Sequence, residues 1–417
     1  MSRQGGEHAG EHAYETAEAV ARRSYGKLVA FLTVRTRDVA GAEDALSEAF
    51  ASALMNWPVN GVPANPEAWL LTVARRKQID AGRKRQREVP TALLAELEGE
   101  LEAATHMQPE IPDERLALMF ACAHPAIDPG IRAPLILQTI LGFDAATIGS
   151  AFLVSPATMG QRLVRAKNKI REAGIPFRVP EPSDLRERLD AVLEAIYAAF
   201  AEGWSDAAGT DVRRRNLAEE GIWLGRLVAS LLPEEPEALG LLALMLHAEA
   251  RRAARRNSHG DYVPLADQEP ALWDQRAIAE AEALLFRASR MARIGRFQLE
   301  AAVQSAHAAR RLTGSTDWAA ILGLYNALLA QTGSTVVAIN RAVVCGELNG
   351  PAAGLADLDA LAGDGRLGEY QPYWAARASL LALSGDTQAA DVAYERAIGL
   401  ASDPAVRSFL QQRRGKL

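Results

Sequence analysis

Residues 131–170 read IRAPLILQTILGFDAATIGSAFLVSPATMGQRLVRAKNKI. The apolar residues recur at helical spacing, and the punctuation divides the stretch into three helices. The first runs over about 131–141 and stops at Gly142, the residue that ends helices without steric cost. Asp144 can cap a short helix over 145–152. After a turn over 153–155, Ser155 caps a third helix that starts at Pro156, where a missing N–H costs nothing. In that last helix Met159, Leu163, Ala166 and Ile170 share one face. Thr158, Gln161, Arg162, Arg165 and Lys169 project elsewhere. Between Ser155 and Arg171 there are five basic residues and no acid. Helix, short turn and basic amphipathic helix form the helix-turn-helix pattern, whose second helix enters the major groove of DNA.

The segment upstream has a related character. Leu46, Phe50, Ala53, Leu54 and Trp57 form one apolar helical stripe, while Asp38, Glu43, Asp44 and Glu48 crowd its start and opposite face. Acids near a helix N-terminus suit the helix dipole. Pro58, Gly61, Pro63 and Pro66 break the chain into a loop, and Asn65 can cap the next helix, 67–86. Seven basic residues fall between Arg75 and Arg87 against one acid, Asp80. From Glu88 to Glu114 there are eight acids and no Lys or Arg. Two basic modules joined by an acidic linker are therefore expected.

Composition bounds the rest. The chain has 417 residues, 49% hydrophobic and 24% charged, with a net charge of −6. Its apolar content is mostly Ala and Leu and its aromatics only 6%, which favours helices over sheets. An all-α fold is expected. Any nucleic-acid surface must be local, because the whole is acidic. Two cysteines, Cys122 and Cys345, are too few for a disulfide framework or a cysteine-rich zinc site. The pair Cys122 and His124 has no further obvious ligands, so no metal and no cofactor is expected. The N-terminus has no apolar signal core, and the longest apolar stretch, about 238–248, is too short to span a membrane. A cytoplasmic location without a membrane partner follows as an expectation. No glycine-rich phosphate loop, zinc-protease motif or nucleophile–base arrangement appears, so the chain is not expected to be an enzyme.

After residue 183 the chain reads as helix pairs. Ala308, Ala320, Leu324 and Ala327 share their spacing with Ala342, Gly354, Leu358 and Leu361, and with Ala378, Ala390, Tyr394 and Ala397. Offsets of 34 and 36 residues resemble the tetratricopeptide repeat, in which small residues let paired helices cross closely. Arg251, Arg252, Arg255 and Arg256 form a basic cluster after a mostly apolar helix and are a candidate site for an acidic partner.

GAEDALSEAFASALMNW followed by NPEAWLLTVARRKQIDAGRKRQRE resembles the second conserved domain of bacterial sigma factors, and 141–170 resembles their fourth. With no third domain between them, the arrangement is similar to that of the extracytoplasmic-function group. FAEGW at 200–204, HAEARRAAR at 247–255 and NRAV at 340–343 resemble its subgroup with a tetratricopeptide-like extension. The resemblance implies a disordered N-terminus over 1–13, sigma domain two over 14–88, an acidic linker over 89–111, sigma domain four over 112–175, a linker over 176–182 and a helical extension over 183–417. It implies that Glu43, Asp44, Glu48 and Phe50 dock on the β′ clamp of core RNA polymerase, with domain four near the β flap. Asn65, Trp69, Arg75, Arg76, Arg83 and Arg85 would meet the −10 element. Thr158, Gln161, Arg162, Arg165 and Lys169 would meet the −35 element. A regulatory protein or peptide would bind the repeats. The alternative reading is a one-component helix-turn-helix regulator with the repeats as sensor.

Overall fold

A computed structural model describes residues 2–36, 38–85, 112–152, 154–175, 182–205 and 212–417. The acidic linker 89–111 and the connection 176–181 lie outside them. The fold is all-α. Among the described residues the only β pairing is an isolated bridge between Arg256 and Tyr262. The chain divides into two units, residues 1–202 and 203–417.

The first unit opens with α1 (Ser2–Thr36), α2 (Val39–Asn60) and α3 (Pro66–Arg85). The expectation of disorder over 1–13 is corrected, because α1 starts at Ser2. Ala13 is fully buried. Asp38 caps α2 by accepting from the Gly41 N–H at 3.0 Å. Pro58 lies inside α2 and does not end it. The helix stops at Gly61, whose φ of 84° only glycine adopts easily, and whose N–H donates to the Trp57 carbonyl. Asn65 then caps α3, accepting from the Ala68 N–H at 3.1 Å.

The helices α4 (Pro112–Cys122), α5 (Pro129–Leu141), α6 (Ala145–Ala151) and α7 (Pro156–Glu172) follow. Gly142 ends α5 in the left-handed conformation at φ 70°. Asp144 caps α6 through the Thr147 N–H at 2.7 Å, and Ser155 caps α7 through the Thr158 N–H at 3.3 Å. Ile131, Ala133, Leu135, Ile136, Leu137 and Ile140 are all buried, so α5 is covered on most sides. The two sequence modules are not separate bodies. α1 packs on α4 and α5 as well as on α2 and α3, and α2 touches α7. Gly26 of α1 lies so close to the Ile140 backbone that a Cβ there would collide with its carbonyl oxygen.

The helix α8 (Pro182–Ser205) buries Leu189, Val192, Leu193, Ile196, Ala199 and Phe200. Most of it falls in the first unit, which ends at Glu202.

In the second unit, α9 (Val212–Leu231) precedes α10 (Pro236–Glu249), which is buried on nearly every side. The apolar stretch at 238–248 is thus a core helix. It packs on α11 (Gln275–Ser289) and α12 (Arg296–Thr313). Glu237 of α10 caps α12 by accepting from the Phe297 and Gln298 N–H groups at 2.9 and 3.1 Å. Then come α13 (Trp318–Thr332), α14 (Thr335–Asn349), α15 (Pro351–Asp359), α16 (Gln371–Ser384), α17 (Thr387–Leu400) and α18 (Pro404–Arg414), each packed on the next. In the last pair Ala378, Ala390, Tyr394 and Ala397 are all buried in one cluster. Ala342, Gly354 and Leu358 are buried too, and a Cβ on Gly354 would stand 2.7 Å from the Ala342 carbonyl oxygen. The first copy departs from this register. Ala320 and Ala327 are exposed, and α13 turns Ile321 and Leu328 inward instead.

Candidate polymerase and nucleic-acid interface

The α7 helix separates its residues as its sequence demands. Met159, Leu163, Ala166 and Ile170 are buried, while Thr158, Gln161, Arg162, Arg165 and Lys169 are all exposed. Five polar or cationic side chains on one solvent-facing surface form what direct readout requires, since Arg and Gln make paired hydrogen bonds to base edges. Thr158 also bonds the Ser155 hydroxyl at 2.9 Å, which ties it to the cap. A Cβ on Gly160 would meet only Ala145 Cβ at 3.9 Å, so the glycine is not enforced by space.

On α2, Leu46, Ala53 and Trp57 are buried and Phe50 is half-buried, while Asp44 and Glu48 are exposed on the other side. Glu48 pairs with Lys77 of α3 at 3.1 Å. Glu43 is different. Its carboxylate is paired with the Lys167 ammonium of α7, and the two side chains are only 15% and 10% exposed. Burial raises the Glu43 pKa from its ordinary value, against the opposing pull of Lys167. Arg171 of α7 adds a looser contact to Asp38 at 3.8 Å. Tyr25, next to Gly142, is held strongly against ionisation by burial and by Glu43 and Asp44. Lys167 and Arg171 are absent from the sequence-derived site because periodicity places them on the flank of α7 and cannot say what the flank meets.

The α3 side chains are partly committed inside the fold. Asn65 spends its amide oxygen on capping. Trp69 stands edge-on to Trp57 with ring centroids 5.5 Å apart. The Arg75 guanidinium lies 4.4 Å above the Phe31 ring. Arg76 is exposed. The side chains of Arg83 and Arg85 lie outside the described residues.

The arginine cluster of the second unit is corrected as a partner site, because its guanidinium groups are used internally. Arg251 is buried and donates to the Gln304 side chain and the His247 carbonyl. Arg252 pairs with Glu249 at 2.6 Å. Arg255 lies 3.6 Å over the Trp204 ring and donates to the Trp204 carbonyl at 2.6 Å. Arg256 pairs with Asp403 at 2.6 Å. The chain runs into a 3₁₀ turn after α10 and folds these side chains back onto the core. Cys122 is buried against Thr139, and burial pushes its thiol up to about 12. Among the described residues no group of three or more His, Cys, Asp or Glu could hold a metal ion, and no helix is long and apolar enough to cross a membrane.

The described helices thus present an exposed acidic face on α2 and an exposed polar and basic face on α7. Residues 20–88 match sigma-70 region 2, which supports a sigma-factor role in transcription initiation and implies binding to core RNA polymerase. Residues 188–289 match a family of unknown function, DUF6596. An uncharacterized protein of Rhizobium meliloti (strain 1021) is 40% identical over 375 residues, covering 89% of this chain and 88% of that protein. The chain belongs to the family of that protein. No solved structure matches it.

Proposed function

We propose that this chain is a sigma factor of the extracytoplasmic-function type with a tetratricopeptide-like C-terminal extension. Asp44 and Glu48, with Glu43 and Phe50, dock α2 on the β′ clamp helices. The loop after Gly61 and the start of α3 receive the −10 element, with Arg76 positioning the phosphate backbone. Thr158, Gln161, Arg162, Arg165 and Lys169 read the −35 element, and α4–α7 lie near the β flap. The repeats of the second unit take a regulatory protein or peptide, as stacked helix pairs do. The observation that carries this reading is the exposed five-residue face of α7, in the same chain as a sigma-70 region 2 match. The one-component regulator leaves that region without a task.

Run-off transcription with purified core polymerase tests the reading. Addition of this protein alone should give promoter-specific transcripts. If DNA binding occurs but core polymerase is neither bound nor redirected, the regulator reading replaces it.

A further inference from the structure

We infer that the hairpin over 255–263 is a resident stand-in for the partner of the second unit. The face of α18 that it covers is then a docking site for a peptide segment that presents a basic and an aromatic side chain together. The inference deepens the reading that the repeats take a regulatory protein or peptide, and it rests on that reading for what the site accomplishes.

The hairpin follows α10 and closes through local bonds. The Val263 N–H donates to the Arg255 carbonyl at 2.9 Å and the Asn257 N–H to the Asp261 carbonyl at 3.1 Å, and Arg256 bridges to Tyr262. At the tip the Asn257 side chain accepts from the His259 and Asp261 N–H groups, both at 2.9 Å. Residues 257–261 are exposed. Just beyond its base, Arg310 of α12 donates to the Leu265 and Gln268 carbonyls at 2.7 Å.

The hairpin then crosses to the other end of the repeats. Arg256 reaches Asp403, the cap of α18, at 2.6 Å, although 147 residues separate the two in the chain. The Tyr262 ring stands edge-on to Phe409 of α18, with centroids 5.5 Å apart. In a stack of repeats each helix pair contacts its neighbours, so stacking alone does not join the first helices to the last. Phe409 packs against the core cluster that α16, α17 and Leu410 share. The hairpin therefore covers the last helix, on which a further repeat would otherwise stack.

This cover is replaceable. Among the described residues no backbone hydrogen bond joins the hairpin to α18, so side chains hold it there. A lone two-stranded hairpin is itself marginal in water. Asp403 accepts from the Ala405 N–H with Oδ1 at 2.8 Å and from Arg256 with Oδ2. The helix cap thus survives when the arginine leaves, while the half-buried carboxylate still requires a cation. Phe409 likewise still requires an apolar neighbour. Arg256 and Tyr262 lie opposite each other on the hairpin, so their side chains are neighbours. One extended strand offers the same pair when a basic residue lies two positions from an aromatic one, because alternate side chains share a face.

The test uses the full chain and a fluorescein-labelled synthetic peptide of residues 254–264. In the wild type the tethered hairpin competes at an effective concentration on the order of 1 mM, so the peptide should bind weakly. Arg256→Ser with Tyr262→Ser should free the site and tighten peptide binding at least tenfold. Tyr262→Leu alone, a milder change, should act in the same direction by a smaller factor and guards against a misfolded double variant. Adding Asp403→Asn, which keeps the cap, and Phe409→Leu to the double variant should return binding to the wild-type level. A control peptide with Ser in place of both key residues should bind none of these proteins. Equal peptide affinity in the wild type and both opened variants overturns the inference. So does a gain that survives the two α18 substitutions, or one that the control peptide shares. Neither DNA nor polymerase is present, so this outcome is separate from that of run-off transcription, where a negative result strikes the sigma-factor reading and leaves the docking site standing.

Discussion

Arg162 and Arg165 show how much one side chain can carry. Each is exposed on the face of α7 that is opposite its buried stripe. A base-reading arginine replaced by Ala should cost about 1–3 kcal/mol of binding and relax preference at one position. A phosphate-bound arginine should weaken all sequences alike and lower the slope of affinity against salt. Binding curves at several salt concentrations for Arg162→Ala and Arg165→Ala separate the two roles, and unchanged binding in both would remove α7 from the DNA. Arg251 and Arg255 make the opposite point. They have the same chemistry, but the Gln304 amide and a tryptophan ring hold them inside the second unit.

At the scale of the element, α2 divides its labour between faces. Asp44 and Glu48 face solvent while Leu46 and Trp57 are buried. The double substitution Asp44→Lys and Glu48→Lys should weaken binding to a β′ clamp fragment by tenfold or more. The melting temperature should change little, because the exposed Glu48–Lys77 pair contributes no more than about 1 kcal/mol. A large fall in melting temperature would place these acids in the fold instead. The core helix α10 has a pH signature. His247 on α10 and His307 on α12 are each held down to about 4, first by burial and then by nearby arginines. An unfolded histidine titrates near 6.5, so the unfolded chain takes up protons that the folded one refuses. Stability is therefore complete above about pH 6.5 and is lost as pH falls toward 4. Thermal melts should show a loss of about 2 kcal/mol for each histidine, about 4 kcal/mol together, between pH 7 and pH 5. His247→Leu should roughly halve that dependence, and an unchanged slope would refute the assignment.

At the scale of the whole molecule, most of the helix expected to begin the extension falls in the first unit. Leu189, Val192, Leu193, Ile196 and Phe200 of α8 are buried in a unit that ends at Glu202. A fragment of residues 1–202 should therefore unfold in one cooperative transition. A fragment of residues 1–182 should melt lower and bind a hydrophobic dye, because losing α8 uncovers the apolar surface it was packed on. Equal melting of the two fragments would show that α8 is an appendage. The same pair of fragments, compared with the full chain in transcription, reports whether the repeats act on initiation at all.

Local chemistry made much of this protein legible in its sequence. Gly142, Asp144, Ser155 and Pro156 state the turns and caps of α5, α6 and α7, and the structure uses each as its backbone preference requires. The buried stripe of α7 and its exposed polar face follow from 3.6-residue periodicity. Periodicity is silent about flanks and partners, and there the tertiary structure decided. It turned the arginines after α10 inward, moved the inward register of α13 by one residue to Ile321 and Leu328, and joined two apparent domains through Gly26 and Ile140. It also placed Lys167 against Glu43, 124 residues away in the chain. A charge in a sequence shows only that some counter-charge or solvent must meet it. Which one does is a matter of how helices pack, because burial withdraws the water that would otherwise serve any charge equally well.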